Sequence, residues 1–291
     1  MITAYAKLHI MLARDSRLAL VIRHGTAKSV CTLLWDRTCD RFTLGQWIRG
    51  RIDTATCDLS PDGAHFIYTA SRYGALKVDY WTAVSRTPYL KALAYYPWRG
   101  LGGWFVNNRD YCVPGGAPHA RASNTGDDDR EHPSLWRVAA EAPQPSLYSA
   151  RLLRGGWTLE DCNAKPYFVR KFKHGWTLRH GASFQYRLSS EELAVDTSGW
   201  DWADIDGNRL VWTVKGCLWA GRMGETAIED ARLLRDFNGM GFEAIAAPYE
   251  GGRPVLSRAP PAPPPAQPPR ARKRGKIRKK PDRAKVRPED E

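Results

Sequence analysis

The densest run of chemistry-bearing residues lies near the C-terminus, where Arg270, Arg272, Lys273, Arg274, Lys276, Arg278, Lys279 and Lys280 follow one another closely. Cations at this density neutralise phosphates and release counterions, giving salt-sensitive, sequence-independent affinity for nucleic acid or another polyanion. No aromatic residue is interleaved to stack on bases, so base-specific recognition is not expected. Ahead of the run, Pro260, Pro261, Pro263, Pro264, Pro265, Pro268 and Pro269 favour an extended polyproline spacer. Residues 259–291 carry eleven Lys/Arg against four acids, so +7 of the chain's formal +13 sits there. A second group, Asp127, Asp128 and Asp129 beside Glu131 and His132, has the ligand types of a hard-cation site. The EF-hand order is missing, because no glycine and distal glutamate follow in register, and the group reads as a solvated loop. Asp206-Gly207-Asn208 is explained by a hairpin turn. There is no G-x-S-x-G elbow, no H-E-x-x-H and no phosphate loop in a strand-to-helix setting. No metal and no cofactor is expected.

Arg23-His24-Gly25, at the end of an apolar run, resembles the opening of the histidine phosphatase motif. In that family the histidine takes the phosphoryl group and the arginine holds its oxygens, a bidentate task suited to guanidinium. The resemblance requires a second histidine, for which His180-Gly181 is the candidate. It also requires a parallel sheet covered by long helices, and the chain offers no stretches of that kind. The competing reading is a strand end followed by a polar turn.

The elements that would position these groups are strands. Leu18–Ile22, Val30–Trp35, Thr54–Ser60, Ala64–Ala70, Ala75–Trp81, Leu135–Val138, Leu147–Leu153, Tyr167–Phe172, Trp176–Arg179 and Phe184–Leu188 are short, apolar or alternating, and bounded by polar or glycine punctuation. Tyr89–Tyr96 and Ala231–Asp236 fit helix or strand equally. Two stretches echo each other across the chain. Asp58-Leu59-Ser60-Pro61-Asp62-Gly63-Ala64-His65-Phe66-Ile67-Tyr68-Thr69 and Trp202-Ala203-Asp204-Ile205-Asp206-Gly207-Asn208-Arg209-Leu210-Val211-Trp212-Thr213 both place an Asp-Gly turn before an apolar trio closed by threonine. Asp-Gly between apolar runs is a hairpin signal, since glycine tolerates positive φ and aspartate bonds the local backbone. The turns lie 144 residues apart, a spacing that fits three or four blades of a repeating β fold.

At Ser60-Pro61-Asp62-Gly63 followed by Phe66-Ile67-Tyr68, the chain resembles the TolB-type, WD-like propeller repeat. The second copy keeps the turn and loses the Ser-Pro. Gly45-Gln46-Trp47 and Gly50-Arg51-Ile52 also resemble a group of bacterial proteins that carries no assigned activity. The resemblance implies an all-β, β-propeller-like architecture with antiparallel blades, of roughly five or six blades. The aromatic share of 11%, with twelve tryptophans, suits blades packed on both faces, and Tyr95, Tyr96, Trp98, Trp104, Trp200 and Trp202 are expected mainly in that role.

The six cysteines are irregularly spaced, without C-x-x-C, and read as buried small hydrophobes or free thiols rather than a disulfide frame. Arg14, Asp15 and Arg17 interrupt any secretory core after Met11, and no apolar stretch is long enough for a membrane helix. Cytoplasmic location and no membrane partner are the expectation. The layout is a propeller-like domain over residues 1–250, a proline-rich linker over 251–269 and a basic, disordered tail over 270–291. The work expected of it is non-enzymatic, a rigid surface for an unidentified protein partner with polyanion capture by the tail. The alternative is a phosphoryl hydrolase built on Arg23 and His24.

Overall fold

The computed structural model describes residues 5–25, 28–73, 78–97, 100–114, 135–138, 143, 146–162, 165–181 and 185–249. The acidic group at 127–132 and the basic run at 270–280 lie outside the described residues. Almost every apolar run named above is a strand. The first sheet joins β1 (Lys7–Leu12), β2 (Leu18–His24), β3 (Ser29–Asp36) and β4 (Arg41–Arg49) in chain order. The second joins β5 (Arg51–Leu59), β6 (His65–Tyr73), β7 (Val78–Arg86) and β8 (Ala92–Pro97). A small sheet follows, of β9 (Trp104–Phe105), β10 (Asp110–Cys112) and β11 (Trp136–Arg137), with β10 and β11 parallel. After helix α1 (Leu147–Arg154) comes a five-stranded sheet, β12 (Thr158–Cys162), β13 (Lys165–Lys171), β14 (Thr177–Gly181), β15 (Tyr186–Ser189) and β16 (Ala194–Val195). The last sheet contains β17 (Trp200–Asp206), β18 (Arg209–Val214), β19 (Cys217–Met223) and β20 (Ile228–Asp236).

The four larger sheets are antiparallel meanders set in a ring, with β1 against both β5 and β17. The fold is a four-bladed β-propeller. Period-2 alternation makes such a ring possible, because a strand buried on both faces can serve two neighbours. In β2, Ala19 and Val21 pack towards Trp202, Val211 and Leu218 of the fourth blade. The intervening Leu20 and Ile22 pack on Phe66 and Tyr68 of the second blade. β18 repeats the scheme, with Val211 towards the first blade and Leu210 and Trp212 towards Trp176, Leu178 and Leu188 of the third.

Two expectations need correction. The count of five or six blades becomes four, because the sector between the second and third blades holds the three-stranded sheet and α1. Phe105, Tyr111 and Val113 of that sector still pack on Ile67, Val84 and Tyr96 of the second blade. Leu147–Leu153, read as a strand, is helical. Ser146 caps it by accepting from Ser149 N at 3.1 Å, and Gly155-Gly156 stops it, the latter at φ 90°.

Both Asp-Gly turns are tight hairpins with glycine at positive φ, Gly63 at 79° and Gly207 at 65°. Asp62 accepts from Ser60 Oγ at 2.6 Å and Ala64 N at 3.0 Å, holding its own turn closed. The two turns join first to second strand in blades two and four, which lie either side of the first blade. They flank its β1–β2 loop, where Ser16 Oγ donates to Asp62 O at 2.7 Å and Arg17 reaches Asp206.

Each blade is built from consecutive strands, so no strand is shared between the first blade and the last. Closure rests instead on side chains and a C-terminal strap. Asp206, with its side chain 0% exposed, accepts from Arg37 Nη1 at 2.7 Å and Arg209 Nη2 at 2.8 Å. Arg209 also reaches Asp40 at 2.8 Å, and Asp40 accepts from Trp35 Nε1 at 3.1 Å. Beyond β20, residues 237–249 run without regular structure across the first blade to the second. Gln46 staples the strap in place: its Nε2 donates to Ile245 O at 2.7 Å, and its Oε1 accepts from Leu90 N and Lys91 N at 2.8 Å each. Trp47 packs against Phe242 at 5.9 Å. A side chain at Gly45 would stand 2.0 Å from Pro88 O, so only glycine admits this approach.

Asp206→Asn leaves the Arg37 guanidinium buried with half its compensation, and a loss of ~3–5 kcal/mol is expected. Arg17→Gln removes an ion pair whose arginine is 52% exposed, and should cost under about 1 kcal/mol. Urea unfolding of the two variants checks the ranking; equal losses would refute it.

Candidate functional site at the ring axis

α1 carries a polar face into the middle of the ring. Tyr148, Arg151, Leu152 and Gly155 recur at helical spacing and line one side of an axial cavity. β1, β5 and β17 supply the other sides, through His9, Asp58 and Trp202 among others. The cavity measures about 60 Å³. That is room for a few waters or a small ion, well below the ~300–1,000 Å³ of pockets that hold drug-sized ligands or cofactors.

The helix is tied in by its own arginines. Arg151 Nη1 donates to Cys57 O at 2.6 Å and Thr54 O at 2.9 Å. Its Nη2 lies 3.1 Å from His9 Nε2, and its guanidinium covers the Tyr148 ring at 5.1 Å. A guanidinium can only donate, so His9 Nε2 accepts and the His9 proton is assigned to Nδ1. Burial, then the Arg151 charge, hold His9 well below the usual histidine range. Arg154 donates to Phe105 O at 2.7 Å and reaches Asp58 Oδ2 at 3.2 Å. Burial raises the Asp58 carboxyl in spite of the Arg154 charge.

Towards the third blade, Tyr148 Oη hydrogen bonds His180 Nε2 at 2.5 Å. The His180 ring stacks on Tyr186 with centroids 4.3 Å apart. Burial brings His180 down to about 4 and takes Tyr148 up to about 12. Asp204 is paired with Arg170, and burial raises it too. Cys57 is pushed up to about 12 by burial. A proton-transfer catalyst works best with a pKa near the operating pH, and burial moves His180, Tyr148 and Cys57 away from it. The arrangement suits holding and orienting.

The residues singled out in the sequence are placed elsewhere or differently. Arg23 donates to Phe237 O at 2.7 Å and Asn238 O at 3.2 Å, and its guanidinium lies 5.5 Å from the Trp47 ring centre. It anchors the strap. His24 ends β2, held below the usual histidine value by burial, then by Arg51 and Lys7. His180 stands in the third blade with Tyr148 and Tyr186 as neighbours, not with Arg23. Tyr96, Trp104 and Trp202 are buried between sheets, and Cys31, Cys39, Cys57, Cys112 and Cys217 are free thiols. No group of His, Cys, Asp and Glu suited to a metal occurs among the described residues. No helix among them is long and apolar enough to cross a membrane. The axial residues His9, Asp58, Tyr148 and Arg151 escaped notice because they are scattered over three elements far apart in the chain. The one available signal was Ser146 followed by Tyr148, Arg151 and Leu152 at helical spacing.

No family model matches the chain, and no curated protein does. Among solved structures, an uncharacterized protein of Listeria monocytogenes EGD-e aligns over 80% of this chain and 67% of its own at 8% identity, with a TM-score of 0.28. The β-propeller domain of the Trilobed protease from Pyrococcus furiosus, described as having an open velcro topology, aligns over 80% and 99% at 10% identity, with a TM-score of 0.23. At these scores the ring of sheets, not the likeness, defines the fold.

Unfolded His180 takes up a proton below about 6.5, whereas the folded ring holds off until about 4. Stability is therefore lost as pH falls through that window, by up to about 3 kcal/mol from this residue. His9 and His24 act in the same direction. His180→Gln should flatten the decline in urea midpoint between pH 6.5 and 4.5; parallel curves for variant and wild type would count against the assignment.

Proposed function

We propose that this chain is a non-enzymatic, cytoplasmic propeller scaffold of the TolB-type, WD-like kind. It presents a rigid surface to a protein partner, and its basic C-terminal run adds capture of nucleic acid or another polyanion. The observation that carries the reading is the use made of reactive side chains at the axis. Arg151, Arg154, Tyr148 and His180 join α1 to four strands, β1, β5, β9 and β14, and burial holds His180 and Tyr148 away from neutral proton affinity. A ring locked by such groups offers a fixed frame rather than a reacting centre. The TolB-type assignment is supported by the Ser60 and Asp62 hydrogen bonds that close the Asp62-Gly63 turn. Free thiols throughout the described residues favour a reducing compartment.

Against the phosphoryl hydrolase stands the engagement of Arg23 by two strap carbonyls, which leaves its fork turned away from any phosphate beside His24. Turnover of a phosphomonoester by wild type but not by His24→Ala would restore that alternative.

The tail predicts its own salt dependence. Neutralising Arg270, Arg272, Lys273, Arg274, Lys276, Arg278, Lys279 and Lys280 to glutamine should weaken retention on DNA at low salt and shrink the slope of log affinity against log salt. Capture of a protein partner from native lysate should survive the same change. An unaltered salt slope removes the tail from the proposal.

A further inference from the structure

Buried charges in proteins are normally answered by an opposite charge, because an unanswered ion loses its hydration without return. At the ring axis the answers do not balance. Asp58 is met by Arg154 and Asp204 by Arg170. Arg151 has no carboxylate in contact among the described residues; its acceptors are two carbonyls, the His9 ring and the Met11 sulfur. It acts on Asp58 only through space. Arg14 also lines the cavity, is exposed, and makes no hydrogen bond or ion pair among the described residues. His9 lines it as well, with its Nε2 turned to Arg151. Two positive charges without a carboxylate partner thus line one small space.

We propose that the axial cavity is a binding site for a tetrahedral oxyanion of phosphate or sulfate size, held by Arg14 and Arg151. The volume of about 60 Å³ suits an ion of this size. Arginine is suited to the task, since its planar fork matches oxyanion geometry and it stays charged. Arg151 is already immobilised by Cys57 O and Thr54 O, so little ordering is left for binding to impose. Arg14, at the exposed side, supplies the entrance contact. The walls include Asp58 and Asp204, each already paired with an arginine. The proposed contacts include no residue of the basic run at 270–280.

The test uses the full-length chain with the eight basic residues of 270–280 replaced by glutamine, so that the tail cannot contribute. Phosphate, sulfate and chloride are titrated at matched ionic strength. Fluorescence reports locally, because Trp157 and Trp202 both line the cavity. Phosphate or sulfate should give a saturable spectral change and raise the thermal midpoint in proportion to the logarithm of its concentration. Arg14→Gln should weaken that binding about tenfold, a charge-assisted hydrogen bond's worth. It should leave the midpoint in chloride unchanged, since Arg14 has no partner among the described residues. Arg151→Lys should weaken binding further. An equal response to chloride, or an unchanged affinity in Arg14→Gln, overturns the proposal.

Discussion

The ring depends on one junction, where the first blade meets the fourth without a strand in common. Propeller blades pack face to face, and the hydrophobic faces alone would let the last blade hinge away from the first. Here the Asp206 carboxylate, sealed from solvent, gathers Arg37 from one blade and Arg209 from the other. Arg209 extends the linkage to Asp40, and Asp40 holds the Trp35 indole on which the apolar seam is built. Such a cluster is valuable because it tolerates no half measures. Each charge is tolerable in the interior only while its partners are present, so closure is cooperative rather than gradual. The strap completes it from outside, through Arg23 and Gln46.

α1 solves the problem left by the shortened sector. Three two- or three-residue strands cannot fill a blade position, and the gap would expose Met11, Leu59 and the inner strands. A helix is narrow enough to stand there and long enough to reach several elements through extended side chains. Arginine is the residue of choice for that reach, because one guanidinium can satisfy acceptors from different strands at once. Arg151 and Arg154, about one turn apart on the same face of the helix, do this, linking it to β1, β5 and β9. The cost is positive charge concentrated at the axis.

Much of the fold was legible in the residues, and for a clear reason. Strands such as Leu18–Ile22 and Val30–Trp35 carry their evidence within a few consecutive positions, and the Asp-Gly turns announce hairpins locally. Leu147–Leu153 misled because a short apolar run looks alike in both states, and only the serine ahead of it and the glycines behind distinguish them. The blade count was not legible, since the three-stranded sector has lost the repeat that would mark it. Gly45-Gln46-Trp47 stood out as a motif, yet its meaning needs Pro88, Leu90 and Ile245, none of them near in sequence. The axial site is less legible still. His9, Asp58 and Arg151 acquire a common purpose only when the ring brings them together.

The contiguity of each blade along the chain has a temporal side. A chain emerging from the ribosome can complete its first sheet as soon as residue 49 is free, because every partner strand has already been made. The face of that sheet carrying Val21, Leu33 and Trp35 has a longer wait. Its cover is Trp202, Val211 and Leu218, more than 150 residues downstream. Until those arrive, the half-built ring must carry a ready-made apolar wall in open water.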